Sequence, residues 1–228
     1  MKNQITPTGL KFLDKQLGGG LSNGINVIGS QSGVGKTSFS MMLCKKLHEN
    51  NYNVLHLAFE DSANLIVDKY YRSKLIYNLN NTLYVQQITN PEPTVKEIVD
   101  VVNEITYDII LLDAVMLEKN KFDKLIGILS LLNKPIILTT QLIRDSKLDL
   151  TSIRNDKLKY SANNILILEH QDKKNSLLKI SVPKTRYGCT TGSIKNVYFN
   201  NLELECEKLS RFKLFFMKIF NFIIRCIY

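Results

Sequence analysis

Ser30-Gln31-Ser32-Gly33-Val34-Gly35-Lys36-Thr37 is the stretch that decides the fold. Residues 26–29 before it are apolar enough for a strand, and residues 36–49 after it are patterned as a helix. The segment therefore reads as a strand-to-helix turn, the setting that gives a glycine-rich run its meaning. Gly33 and Gly35 let the backbone curl until successive N–H groups point inward, and the helix opening at Lys36 adds the positive end of its dipole. Such a concavity suits phosphate oxygens. Lys36 supplies a point charge between two phosphates, Thr37 offers its hydroxyl to a magnesium ion, and Ser38 extends the cradle. Ser30 stands where the pattern usually has its first glycine, with Gly29 one residue earlier.

Outward from this turn, short apolar runs at 53–59, 83–86, 108–113 and 135–140 alternate with amphipathic stretches at 62–77, 94–105 and 121–132. That alternation predicts an α/β fold with a mostly parallel sheet and helices on both faces. The unbroken Ile109-Ile110-Leu111-Leu112 suits a strand covered on both sides. Residues 164–169, 177–182 and 193–199 read as late antiparallel strands joined by hairpin-like turns, one of them at 172–175.

Strand ends carry the remaining chemistry. Asp113 closes an apolar run and is placed to hold a magnesium-bound water beside the phosphate turn. Glu60 ends the preceding run and is the candidate general base for an attacking water. Its neighbour Asp61, just before Ser62, reads as a helix cap. Gln141 ends the next run, where an amide can hydrogen-bond a terminal phosphate and register its loss.

The 228 residues carry 30 Lys and Arg against 21 acids, a formal charge of +9, and are 44% hydrophobic. This composition excludes disordered and collagen-like chains and predicts one domain with a substantial core. Cys44, Cys189, Cys206 and Cys226 lack metal-ligand or disulfide spacing, as expected of a reducing, cytoplasmic compartment. No apolar stretch reaches membrane-spanning length, and the first residues lack a signal-peptide core. Residues 206–228 read as a separate tail after a domain at 1–205. From Arg211 the tail holds Arg211, Lys213, Lys218 and Arg225 with no acid. Its apolar side (Phe212, Phe215, Phe216, Ile219, Phe222, Ile223, Ile227) suits packing on a protein surface or contact with an anionic membrane surface.

Thr8-Gly9-Leu10, Leu13-Asp14, Leu17-Gly18-Gly19-Gly20-Leu21 and Gly24, followed by the phosphate turn, resemble the RecA-fold ATPases. The pattern is most similar to the motor domain of DnaB-type replicative DNA helicases, with RadA- and KaiC-type ATPases as cousins. The likeness runs from about Thr6 to Phe199. It implies ATP and Mg²⁺ as cofactors, Glu60 as catalytic glutamate, Asp113 as Walker B aspartate and Thr140-Gln141 as the sensor. Lys184-Thr185-Arg186-Tyr187-Gly188 matches the family's late basic motif, which implies Arg186 as an arginine finger, with Lys184 beside it, reaching the neighbouring subunit's nucleotide. A homo-oligomeric ring or filament follows from that sharing.

Some features depart from the family. This sequence holds neither the N-terminal primase-binding domain nor the linker helix, and the segment after Asp113 is short. Cys189-Thr190 stand where the family usually places proline. Residues 142–161 correspond to a DNA-facing loop, with Arg144, Lys147, Arg154, Lys157 and Lys159 available to phosphates and few aromatics between them. The expectation is an ATP-hydrolysing motor coupled to single-stranded DNA. The alternative is a KaiC- or RadA-like regulatory ATPase that exchanges partners without unwinding DNA and associates with a membrane through its tail.

Overall fold

The computed structural model describes residues 5–73, 81–143, 148–188 and 191–218. The chain enters through strand Ile5–Thr6 (β1), helix Lys11–Leu17 (α1) and strand Leu21–Ser22 (β2), which pairs antiparallel with β1. Asp14 organises this entry by accepting hydrogen bonds from the Thr8 amide at 2.8 Å and the Thr8 hydroxyl at 2.6 Å. Gly18 ends α1 in the left-handed conformation, with φ 77°.

An alternating series follows: Gly24–Ser30 (β3), Lys36–Glu49 (α2), Val54–Ala58 (β4), Ala63–Arg72 (α3), Leu83–Gln87 (β5), Val95–Glu104 (α4), Ile109–Asp113 (β6), Lys119–Leu129 (α5) and Pro135–Gln141 (β7). Helix starts are set by short polar side chains. Ser62 accepts from the Leu65 amide, and Thr94 with Glu97 forms a reciprocal capping box at α4. Asp61, expected to cap α3, pairs instead with Lys69 at 2.9 Å, because Ser62 already serves the first turn.

The last part comprises Asp156–Ser161 (α6), Asn164–Asp172 (β8), Leu177–Thr185 (β9), Gly192–Asn200 (β10) and Glu205–Lys208 (β11). Nine strands form one sheet in the order β11-β10-β9-β8-β3-β7-β6-β4-β5. Neighbours from β8 to β5 run parallel, and β9, β10 and β11 add antiparallel hairpins. The α/β architecture expected from the alternation is therefore present. β3 and β6 are separated by β7, so the phosphate turn and Asp113 leave the sheet two strands apart at the same edge.

Side chains of alternate parity fill two cores. One joins α2 and α3 with the late strands around Phe39, Met42, Tyr70, Leu178 and Phe199. The other packs α4, α5 and α6 on the opposite face around Ile98, Leu125, Ile126 and Leu158. At about 25 cal/mol per Å² of apolar surface, burial on both faces makes β3, β6 and β7 the rigid frame beneath the site.

Three elements differ from the sequence reading. Helix α1 is only seven residues long, too short for a clear period. Strand β11, Glu-Cys-Glu-Lys, is polar on both sides and forms by pairing with β10. Residues 148–161 are not an open loop: Asp149 caps a 3-10 turn at Leu150–Ser152, and Asn155 caps α6. In the tail, residues 211–218 are helical and Phe212, Phe215 and Phe216 are exposed, with Phe212 and Phe216 ring centroids 4.6 Å apart. Residues 219–228, with Ile219, Phe222, Ile223, Arg225 and Ile227, lie outside the described residues. No helix among the described residues is long and apolar enough to cross a membrane.

Candidate functional site

In a parallel sheet all strands deliver their carboxyl ends to one edge, where ligands of open α/β folds bind. Register fixes which residues meet there: Ser30 pairs with Gln141, and Ala58 pairs with Asp113. The phosphate turn, Glu60, Asp113 and Gln141 thus gather at a single edge, although they are spread over more than 100 residues of sequence.

Within the turn, Gly33 has φ 78° and Gly35 has φ 99°, values that glycine adopts without steric penalty. A Cβ placed on Gly33 would meet nothing within 4 Å, so the space beside this residue is open. Ser30 is buried at the end of β3, its hydroxyl donating to the Gln31 carbonyl at 2.8 Å. Gly29 lies against Leu142, whose Cδ2 would be 2.8 Å from an added Cβ. The small residue is therefore needed one place before the position the pattern gives it. Ser32 is exposed, and Gln31, Val34, Lys36, Thr37 and Ser38 are half-buried around the curl. No side chain caps the start of α2 and its first turn holds no acid, so its free N–H groups and dipole face the curl.

Thr37 reaches across to Asp113, its hydroxyl donating to Oδ1 at 3.3 Å. The Thr139 hydroxyl donates to the same oxygen at 2.8 Å and accepts from the Ala114 amide at 2.7 Å. Asp113 is 3% exposed, and burial pushes its carboxyl above the usual range against the pull of Thr139, Thr37 and Lys36. A buried carboxylate held so is short of positive charge. Magnesium fits this place: it uses one or two protein oxygens and takes its other ligands from water and phosphates. Thr37 and Asp113 would hold it. Among the described residues there is no cluster of three His, Cys, Asp or Glu that would bind a metal without help from a nucleotide.

Glu60 is exposed just beyond β4 and forms no hydrogen bond or ion pair with the described residues. Gln141 is exposed at the end of β7. Beside Gly33 and Val34, the late strands leave a cavity of about 200 Å³ that is also lined by His170, Lys173, Ser176 and Phe199.

Lys184 and Arg186 are elsewhere. β9 runs against β8, and Thr185 pairs with Asn164, so the end of β9 lies at the amino edge of the parallel strands. There the Lys184 ammonium donates to the carbonyls of Lys159 at 2.5 Å and Tyr160 at 3.0 Å. Arg186 donates through Nη2 to the Tyr160 carbonyl at 2.7 Å. Burial and the neighbouring guanidinium lower the Lys184 pKa. These two side chains are at the opposite edge from the phosphate turn of their own chain.

Of the basic residues expected to face nucleic acid, Arg154 and Lys157 are exposed. Lys159 is half-buried and ion-paired to Asp156 at 2.8 Å. Arg144 and Lys147 lie outside the described residues. Sequence reading missed three participants: Thr139, His56 and the cavity beside Val34. Thr139 was legible as the first residue of Thr139-Thr140-Gln141. A histidine inside the apolar run Val54–Ala58 was a signal as well. The cavity depends on strands distant in sequence and left no local trace.

A glycine-rich curl, a strand inserted between it and the aspartate strand, and acids from adjacent strands match the arrangement of the RecA-like fold. No protein-family model matches this chain, and no curated protein matches it. Solved structures do. An ATPase domain superposes with TM-score 0.73 over 92% of this chain and 93% of its own length, at 15% identity. A DnaB-like replicative helicase, determined for its interactions with primase, superposes with TM-score 0.68 over 92% of this chain and 65% of its own, also at 15% identity. The chain has the RecA-like fold of DnaB-type helicase motor domains.

Proposed function

We propose that this chain is an ATP-binding, Mg²⁺-dependent ATPase motor of the replicative-helicase type. The observation that carries the proposal is the meeting of Thr37 with the buried Asp113 at the mouth of an open, uncapped curl. A triphosphate brings the negative charge the curl lacks and, with its magnesium, the positive charge Asp113 lacks. The curl's N–H groups and Lys36 hold the phosphates, and the cavity lined by Val34, His170 and Phe199 receives the nucleobase. Thr37 and Asp113 would hold magnesium, which would supply positive charge to the phosphate oxygens. Glu60, unpaired and exposed at the same edge, orients and deprotonates water, and Gln141 registers the terminal phosphate.

Lys184 and Arg186 complete the site of an adjacent copy, which makes the active form a ring or filament. Their place at the far edge supports this, since neither can serve its own chain. Single-stranded DNA binds through Arg154, Lys157 and the neighbouring residues of 142–161. The exposed aromatic side of residues 211–218 meets a neighbouring protein surface or, in the alternative reading, an anionic membrane surface. The KaiC- or RadA-like reading is favoured by one observation: only five residues, 114–118, separate β6 from α5, which leaves little chain for a second DNA-facing loop.

The deciding experiment measures ATP turnover with and without single-stranded DNA at two salt concentrations. Stimulation that fades with salt is expected, because phosphate contacts release counterions. A flat response would favour the regulatory ATPase. Unchanged turnover in Lys36→Ala would remove the nucleotide assignment altogether.

A further inference from the structure

β4 places Val54, His56 and Ala58 on the face covered by α2 and α3, and β6 places Ile109, Leu111 and Asp113 on the same face. Every position in this layer except two is apolar. One exception is Asp113, and the other is His56, which has no solvent exposure. An imidazole in such a layer costs desolvation unless both nitrogens are used. Nδ1 lies 3.2 Å from the Tyr70 hydroxyl. Nε2 has no hydrogen-bond partner and lies 3.9 Å from Asp113 Oδ2. Oδ2 is also the carboxylate oxygen that Thr37 and Thr139 leave alone, since both bind Oδ1.

The direction of these bonds can be worked out. A neutral imidazole carries one N–H and one lone pair, so the two nitrogens need different partners. Burial pushes the Cys44 thiol up to about 12 and raises the Tyr70 phenol as well, so both keep their protons. With Nδ1 facing the Tyr70 hydroxyl, that hydroxyl donates to Nδ1 and the ring proton sits on Nε2, 3.9 Å from Asp113 Oδ2. The opposite tautomer would set Nδ1–H against the Tyr70 oxygen and aim a lone pair at a carboxylate, which is repulsive.

We propose that His56 is a positioning residue for Asp113, its Nε2–H restraining Oδ2 so that the carboxylate keeps its orientation when the Thr37 hydroxyl turns to a metal ion. The proposal rests on the nucleotide reading above. Carboxylates that bind metals are commonly held by such outer partners, and losing one costs about 10- to 100-fold in metal affinity. Tyr70 acts one step further out, joining α3 to the same carboxylate.

The test uses Mn²⁺ as a spectroscopic stand-in for Mg²⁺. Mn²⁺ binding to the ADP complex is followed by electron paramagnetic resonance for the wild type, His56→Leu, His56→Gln and Tyr70→Phe, with metal-free ADP affinity measured alongside. His56→Leu and Tyr70→Phe are expected to weaken Mn²⁺ binding about tenfold while metal-free ADP affinity stays level. His56→Gln is expected to stay within about threefold of wild type, because its amide N–H reaches the place of Nε2–H. In nucleotide-free wild type, ¹⁵N resonances should show Nε2 protonated and Nδ1 bare. A ring protonated at Nδ1, or wild-type Mn²⁺ affinity in His56→Leu, would overturn the positioning role alone. Failure of the wild type to bind Mn²⁺ with ADP would overturn the nucleotide reading and this proposal with it, whatever the tautomer.

Discussion

Gly18 joins the first helix to the loop that follows Arg186, and replacing it with alanine tests that joint. Its φ of 77° is left-handed, and an added Cβ would lie 2.2 Å from the Tyr187 carbonyl oxygen and 2.9 Å from the Gly188 Cα. Cβ atoms essentially never approach closer than 3.0 Å, so the carbonyl must retreat by at least 0.8 Å. Backbone cannot rotate away as a side chain does, and Gly188 is itself pressed against the Thr185 hydroxyl and the Gln16 carbonyl. The left-handed conformation costs an alanine about 1 kcal/mol, and the forced repacking adds about 2 kcal/mol. For a chain of this length, about 3 kcal/mol lowers Tm by about 6–12 °C. The assay is calorimetric unfolding of wild type and Gly18→Ala, followed by turnover at a temperature where both are folded. On the role proposed for Arg186, which stands next to the displaced carbonyl, turnover is expected to fall, since misplacing such a group by about 1 Å costs about 100-fold. A Tm within about 1 °C of wild type would refute the stated packing. A lowered Tm with normal turnover would detach the loop from the chemistry.

Four further expectations follow from other parts of the molecule. Glu60→Gln should bind ATP and lose turnover by about 10²- to 10⁴-fold, and mixing it with Arg186→Ala chains should restore some activity, as steady-state ATPase assays will show. Gly127→Ala in α5 should raise stability by about 0.5–1 kcal/mol in a denaturant titration, since helical glycine is costly; the nearest atom to the new methyl is the Lys157 ammonium at 3.6 Å. Burial depresses the pKa of His56 to about 3 and lowers that of His48, so the unfolded chain gains protons that the folded one refuses. Stability is therefore full above the ordinary histidine value of about 6.5 and falls on acidification. His56 contributes about a tenfold loss in the folded-to-unfolded ratio per pH unit between about 6.5 and 3, and His56→Leu should flatten a urea titration series across that window. Deleting residues 211–228 should leave Tm within about 2 °C and abolish sedimentation with anionic vesicles, since Phe212, Phe215 and Phe216 are exposed; a smaller oligomer after deletion would mean that the tail instead joins subunits.

Much of this molecule is written locally. The strands β6 and β7 carry runs of branched apolar residues and end in a polar one, and that ending is what marks Asp113 and Gln141 for the sheet edge. Gly33 and Gly35 were legible because so few backbones need two left-handed residues in three. What could not be read was the choice between chemically similar neighbours. Asp61 and Ser62 both cap helices well, and only the proximity of Lys69 shows which one does. Lys159 and Lys157 look alike in sequence, yet Asp156 binds one and leaves the other exposed. Residues 148–161 looked like a loop because their apolar contacts, Ile153 and Leu158, are made with α5 on the same face of the sheet and not along the segment.

The carbonyls of Lys159 and Tyr160, which close α6, take their hydrogens from Lys184 and Arg186. A neutral carbonyl is a weaker acceptor than a phosphate oxygen, so an anion presented at this edge outcompetes it. Whatever draws the two cations away also strips the end of a six-residue helix of its donors. Helices that short depend on their ends, and this one carries Lys157 on its outer side. An anion at this edge would thereby act, through three hydrogen bonds, on the short helix that exposes Lys157.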